Sequence, residues 1–201
     1  LINLSNELVG LLNDTSPRVS SLASISLGRI GQNEPNDIVQ DIFNAVKKNR
    51  GLSFDPVLRH SFISSLDRLV TVEDLIKFGQ SESVEQRLIA VILLRKRADS
   101  NLMNFLEDKE KIVRLEAIRA IYDTAALDGL AGQKLALVKP DDYSYFIQSR
   151  IVGANFRIGT DESAKRLLGF CSNPKVDSDV KTFILHGLLR WGMELDTDPV
   201  L

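Results

Sequence analysis

The stretch Leu102 to Tyr122 reads LMNFLEDKEKIVRLEAIRAIY, and it decides the fold. At 100° per residue, Val113, Ala117, Ala120 and Ile121 share one side of a helix, and Leu115, Ile118 and Tyr122 a neighbouring side. Glu116, Arg119 and Asp123 hold the opposite side. An apolar arc this wide suits a helix packed against two neighbours. The segment before it, around Leu102, Met103, Phe105 and Leu106, carries a narrower stripe and reads as a short outer helix. Asp108 to Lys111 form a solvated turn between the two. Such a unit cannot bury its apolar surface alone, whereas stacked copies can.

Weaker versions of the unit recur on both sides. Leu4, Leu8, Leu11 and Leu12 mark a first outer helix, and Pro17 opens an inner helix through Val19, Leu22, Ala23, Ile25, Leu27 and Ile30. Gly28 and Gly31 read as its end. Ile38, Ile42, Phe43 and Val46 follow as an outer stripe. Asp55-Pro56 is a strong helix start, and Leu58, Phe62, Ile63, Leu66 and Leu69 keep helical spacing behind it. Thr71 with Asp74, and Ser83 with Gln86, resemble capping boxes that open Val72 to Phe78 and Val84 to Ala98. An outer helix around Leu130 to Val138 and an inner helix Tyr143 to Ile158 come next, with Asp141-Asp142 as the cap between them. The last pair is Ala164 to Cys171 and the helix through Val180, Phe183, Ile184, Leu188 and Trp191. No sustained period-2 alternation marks a strand.

The expected fold is therefore all-α: an α-α superhelix, a solenoid of about six helix pairs. Residues 1–192 read as one such domain, and 193–201 as a tail leading to a further module. Ser20, Arg59, Arg87, Arg114, Arg150 and Lys181 are taken as equivalent positions early in the inner helices. Their intervals of about 27 to 39 residues suit an irregular array.

The chemistry is sparse. The 201 residues are 44% hydrophobic and 26% charged, with a net charge of −2, which gives no reason to expect nucleic acid as a partner. No apolar run reaches the ~18 residues of a membrane span, so direct membrane insertion is not expected. A single cysteine, Cys171, sits among Leu167, Leu168 and Phe170 as a small core residue. His60 and His186 lack a second ligand at i+4, where Ser64 and Arg190 stand. No nucleophile elbow, Walker loop or dinucleotide fingerprint occurs. No catalytic residue, metal site or cofactor is expected.

The candidate interaction residues are Arg59, His60, Arg87, Arg114, Arg150, Asn155 and Arg157. The recurring arginines are expected to bond turn carbonyls or carboxylates between repeats, with a basic docking stripe as the alternative. Asn155, polar within an inner helix, is expected to bond a neighbouring turn, with a ligand as the alternative.

The order Asp108, Val113-Arg114, Ala117, Ala120-Ile121 resembles the short bacterial form of the HEAT repeat. Three segments resemble, in order, the helical middle region of the large bacterial "putative membrane-bound dehydrogenase" proteins: 55–60 (DPVLRH), 113–121 (VRLEAIRAI) and 154–159 (ANFRIG). In that family a quinoprotein-type sugar-dehydrogenase propeller precedes the helical region and a c-type cytochrome module follows it. The resemblance implies a non-catalytic scaffold that links or docks those two parts of a larger protein, in the periplasm or another extracytoplasmic space. It implies protein partners: the flanking domains or an electron-transfer protein. The chain has no Cys-x-x-Cys-His, so haem chemistry does not belong to these residues. The alternative expectation is a helical-repeat enzyme or accessory, glycosylase-like or lyase-like, acting on DNA or a protein-bound cofactor.

Overall fold

The computed structural model describes residues 2–31, 35–48, 55–141 and 143–192. The expected tail at 193–201 and the expected cap residue Asp142 lie outside the described residues. The described residues are helical throughout, with no strand, and none of their helices is long and apolar enough to cross a membrane. In chain order they are α1 (Ile2–Leu11), α2 (Pro17–Ile30), α3 (Pro35–Lys48), α4 (Pro56–Leu69), α5 (Val72–Gly79) and α6 (Val84–Lys96). A 3₁₀ helix (Ser100–Phe105), α7 (Lys111–Tyr122), a 3₁₀ turn (Ala125–Leu127), α8 (Leu130–Ala136), α9 (Tyr145–Ile158), α10 (Asp161–Cys171) and α11 (Ser178–Gly192) follow. They form two compact units, Leu1–Leu94 and Arg95–Leu201.

The helix starts follow local chemistry. Pro17, Pro35 and Pro56 occupy first positions, where a missing N–H costs nothing. The Asp55 carboxylate accepts from the Val57 and Leu58 amides at 2.7 and 3.0 Å. Thr71 and Asp74 close a full capping box. Gly159 ends α9 in the left-handed region at φ 67°, a conformation glycine adopts without steric cost.

In the first unit, α1 packs on α2, α3 on α4, and α2 on α4. The buried apolar set includes Leu12, Leu27, Ile42, Phe62, Leu66 and Leu75. The expected α1 stripe is only partly inside: Leu12 is fully buried, but Leu4 and Leu11 are exposed. The expected face of α2 is also rotated. Leu22 points outward at 57% exposure, while Ser20, Ser21, Ser24 and Gly28 are buried. Gly28 is not part of the helix ending; it is the point of closest approach to α4. A Cβ there would stand 2.7 Å from the Ser65 Cα, so a larger residue would hold the two backbones apart. At this joint Ser21 and Ser61 share a hydrogen bond, Ser24 and Ser65 pair at 2.9 Å, and the Ser65 hydroxyl also lies within 2.7 Å of the Ser24 carbonyl. Serine hydroxyls let helices approach closely while every buried polar atom keeps a partner.

In the second unit, α7 packs on the 3₁₀ helix, on α8 and on α9, and α11 packs on α9 and α10. The expected outer helix at Leu102 to Leu106 is a 3₁₀ helix instead, started by Asp99, whose carboxylate accepts from the Asn101 amide at 2.8 Å. Six residues do not complete two α-helical turns, and a tighter winding still buries Leu102 and Phe105. Val152, Leu167, Val176, Val180 and Ile184 form the core around α9, α10 and α11, with Phe156, Phe170, Leu188 and Trp191 packed at its edge.

Candidate interaction surface

Counting from the first residue of each long helix aligns one position, at which four of the six side chains bond turn carbonyls. The fourth residues are Ser20, Arg59, Arg87, Arg114, Gln148 and Lys181. Arg87 is only 3% exposed, and its Nη1 donates to the Ser81 and Glu82 carbonyls at 2.7 and 3.0 Å. Arg114 does the same to the Asp108 and Lys109 carbonyls at 2.5 and 3.1 Å, and its Nε reaches the Tyr143 hydroxyl at 3.3 Å. Both arginines close the turn ahead of their own helix. Ser20 Oγ donates to the Leu12 carbonyl at 2.5 Å.

Arg150 does not hold the equivalent position in α9. The helix begins at Tyr145, after Ser144 at its N-cap, so the fourth residue is Gln148. Its Nε2 donates to the Pro140 and Lys175 carbonyls at 3.1 and 2.9 Å, and its Oε1 accepts from the Asp177 amide at 2.9 Å. Gln148 thus joins the turns on both sides of its own helix. Arg150 stands two residues on, where it grips Asp123 with two bonds at 3.1 and 3.2 Å and donates to the Phe146 carbonyl at 3.0 Å.

Arg150 and Arg157 lie two turns apart and bracket Tyr122 of α7. Arg157 Nη1 donates to the Tyr122 carbonyl at 2.7 Å and to Asp128 at 2.8 Å, and its guanidinium lies 4.0 Å from the tyrosine ring centre. The ring rests on Gly153, where a Cβ would meet the Tyr122 hydroxyl at 2.4 Å. Arg95 reaches Glu116 at 3.8 Å and Asp123 at 4.0 Å, and Arg119 reaches Glu116 at 3.8 Å. These ion pairs are partly solvated, so each contributes at most about 1 kcal/mol. Asn155 is fully buried in α9. Its Nδ2 donates to the Ala136 and Ile151 carbonyls at 2.9 and 3.0 Å, and its Oδ1 accepts from Arg166 Nε at 2.9 Å.

Arg59 and His60 are exposed on α4, with the His60 ring 3.4 Å from the Ser64 hydroxyl. The candidate residues therefore do not assemble into one site. Arg150 and Arg157 share the α7–α9 joint. Arg87 and Arg114 each serve their own turn, Asn155 ties α9 to α8 and α10, and Arg59 and His60 belong to the first unit. Burial raises the Cys171 thiol above its ordinary pKa, with a smaller opposing effect from the Lys181 charge, so it stays protonated at neutral pH. Among the described residues no group of three or more His, Cys, Asp or Glu could hold a metal ion.

The same count exposes a feature the sequence reading missed. Tyr122, Phe156 and Leu189 are the twelfth residues of α7, α9 and α11, and Ile118, Val152 and Leu185 the eighth. Ile118 and Val152 are fully buried. Tyr122 covers Gly153 of the following long helix, and Phe156 covers Gly187, where a Cβ would meet its ring at 2.2 Å. Leu185 and Leu189 are 53% and 68% exposed. On another side of α11, where it meets α9, Phe156, Gly159, Phe183, Gly187, Arg190 and Trp191 line an open, mainly apolar depression.

A scan of the chain against protein-family models gives no match, and a search of curated proteins gives none either.

Proposed function

We propose that this chain is a non-catalytic helical-repeat module of HEAT type, a curved α-α superhelix of about six helix pairs that holds other proteins. The observation that carries the reading is the bare face of α11. Among the described residues it offers Leu185 and Leu189 exposed, at the eighth and twelfth positions that in α7 and α9 are filled by Ile118 with Tyr122 and by Val152 with Phe156. A contiguous exposed apolar patch marks a protein contact more often than a reaction site. The arginines that would otherwise form a charged groove spend their donors on turn carbonyls and carboxylates.

The partners we propose are a quinoprotein-type dehydrogenase propeller and a c-type cytochrome module of a larger bacterial protein, in an extracytoplasmic compartment. The support is the resemblance of 55–60, 113–121 and 154–159, which fall at the start of α4, within α7 and at the end of α9. Calorimetric titration of the chain with separately produced propeller and cytochrome modules tests this. Saturable binding that Leu189→Asp weakens is the expected result. No heat with either module at high concentration would count against it, and salt-dependent binding of duplex DNA would favour the enzyme reading.

A further inference from the structure

We propose that the Asp128-Gly129 bond is a modification site, where isoaspartate forms spontaneously, and that Arg157 restrains the reaction. Nothing in this depends on what the module binds. Of the 12 glycines in the chain only Gly129 follows an aspartate, and none follows an asparagine. Ring closure at such a bond needs the amide nitrogen of the next residue to reach the aspartate Cγ, and a residue without a Cβ hinders that approach least. Gly129 is exposed, and a Cβ there would meet nothing within 4 Å. It stands between the 3₁₀ turn Ala125–Leu127 and the start of α8.

The reaction needs no co-reactant beyond the water it first releases. The Gly129 nitrogen bonds to Asp128 Cγ while a Cγ–O bond of the carboxyl breaks, and one water leaves with the amide proton. Water then opens the succinimide. Where it adds to the former main-chain carbonyl carbon, the old peptide bond to Gly129 breaks and that carbon becomes a free carboxyl. The chain now runs through Cβ and Cγ, one carbon longer and with unchanged mass.

Two features restrain the first step. Asp128 has right-handed helical backbone angles, φ −64° and ψ −14°, and its amide donates to the Ala125 carbonyl at 3.2 Å, so the backbone must swing before the Gly129 nitrogen meets Cγ. Its Oδ1 accepts from Arg157 Nη1 at 2.8 Å, and Arg157 is itself tied to the Tyr122 carbonyl at 2.7 Å. The carboxylate is thus anchored to α9, and ring closure has to break that contact. Asp99-Ser100 and Asp177-Ser178 are held differently. Their carboxylates accept from the amides of Asn101 and Asp179, two residues on, at 2.8 and 2.9 Å. Of the three, Asp128 is the one restrained by a side chain from another helix. Isomerisation there lengthens the lead into α8 and takes the carboxylate off Arg157, so the α7–α9 joint loses a tie as the chain ages.

Peptide mapping of the full chain after prolonged incubation in warm neutral buffer tests this, since an isoaspartyl peptide elutes apart at unchanged mass and is methylated by isoaspartyl methyltransferase. Isoaspartate should collect at Asp128 ahead of Asp99 and Asp177, and Gly129→Ala should suppress it. Arg157→Ala should speed it by up to about fivefold, the weight of one partly solvated ion pair. Asp123→Ala breaks the neighbouring Arg150 pair and leaves Asp128 held, so it should not change the rate. Circular dichroism verifies folding, and Arg157→Gln serves if the alanine variant melts early. Isoaspartate that is absent at Asp128, or no more abundant there than at Asp99 and Asp177, overturns the inference. So does a folded Arg157 variant that isomerises at the wild-type rate, or an Asp123→Ala chain that speeds up as much as Arg157→Ala, which would assign the effect to general loosening of the joint.

Discussion

The joint between α2 and α4 and the joints among α7, α9 and α11 solve one problem with opposite materials. In the first unit two helices approach through serine hydroxyls and a glycine, and what stands opposite Gly28 is backbone. In the second unit an aromatic ring lies between the helices and a glycine makes room for it. Hydroxyl pairing ties stability to polar satisfaction, whereas ring seating ties it to shape and apolar area. The first kind of joint cannot relax by moving a side chain, and the second can.

Methyl insertion should separate them most. Gly28→Ala gains about 1 kcal/mol of helix propensity but forces the helices apart, for a net loss on the order of 1–3 kcal/mol in denaturant melts. Ser65→Gly should not rescue it, because the Ser65 Cα itself is 2.7 Å from the added carbon. Gly153→Ala should cost less, since Tyr122 can swing outward, and Tyr122→Ala in the same chain should recover most of the loss. Rescue of the first variant, or none of the second, would erase the distinction.

Removing a turn anchor should come next. Arg87→Ala leaves the Ser81 and Glu82 carbonyls without that donor, at a cost of about 1.5–3 kcal/mol. Arg114→Ala should cost less, because its turn is better solvated. Equal losses in urea melts would show that burial does not set the strength of these anchors.

The serine network should give a smaller, non-additive effect. Ser24→Ala or Ser65→Ala each removes one hydroxyl of the pair, at about 1 kcal/mol, while the double variant should lose less than the sum of the two. A strictly additive cycle would argue against a coupled hydroxyl face.

The smallest effect concerns acid. The Thr71 amide holds the Asp74 carboxyl below its usual pKa. A carboxyl lowered on folding adds stability above its unfolded pKa, and that stability disappears as pH falls through the lower folded value. The melting temperature should therefore keep the contribution at neutral pH and lose it only below about pH 4. The cap is partly exposed, so the change is about 0.5 kcal/mol, and Asp74→Asn should abolish the pH dependence. A loss centred near neutral pH would point to another group.

Much of the helical plan was legible because its signals are local. Pro17, Asp55-Pro56 and Thr71 with Asp74 act within a turn of themselves, and Val113, Ala117 and Ile121 share one side at helical spacing. The serine face of α2 was not legible. A buried serine is favourable only when another hydroxyl lies opposite, and Ser61 is 40 residues away from Ser21. Leu22 was misplaced for the same reason, since its apolarity suggests burial and the serine joint turns it outward. Of the candidate residues, Arg87 and Arg114 could be given a role because a guanidinium beside a turn has few alternatives. Gln148 was overlooked for Arg150 because a charge pattern picks out the arginine and does not register where the helix starts.

The fourth-residue position carries one more implication. Serine there reaches a carbonyl eight residues back, glutamine reaches eight residues back and also forward across its helix, and arginine reaches five and six back. Side-chain length and loop length are thus exchangeable currencies: a lengthened connection can be absorbed by trading one donor for another with a different span. Comparison by residue likeness alone sees unrelated letters in that column, whereas comparison by loop closure would see one role shared by Ser20, Arg87, Arg114 and Gln148.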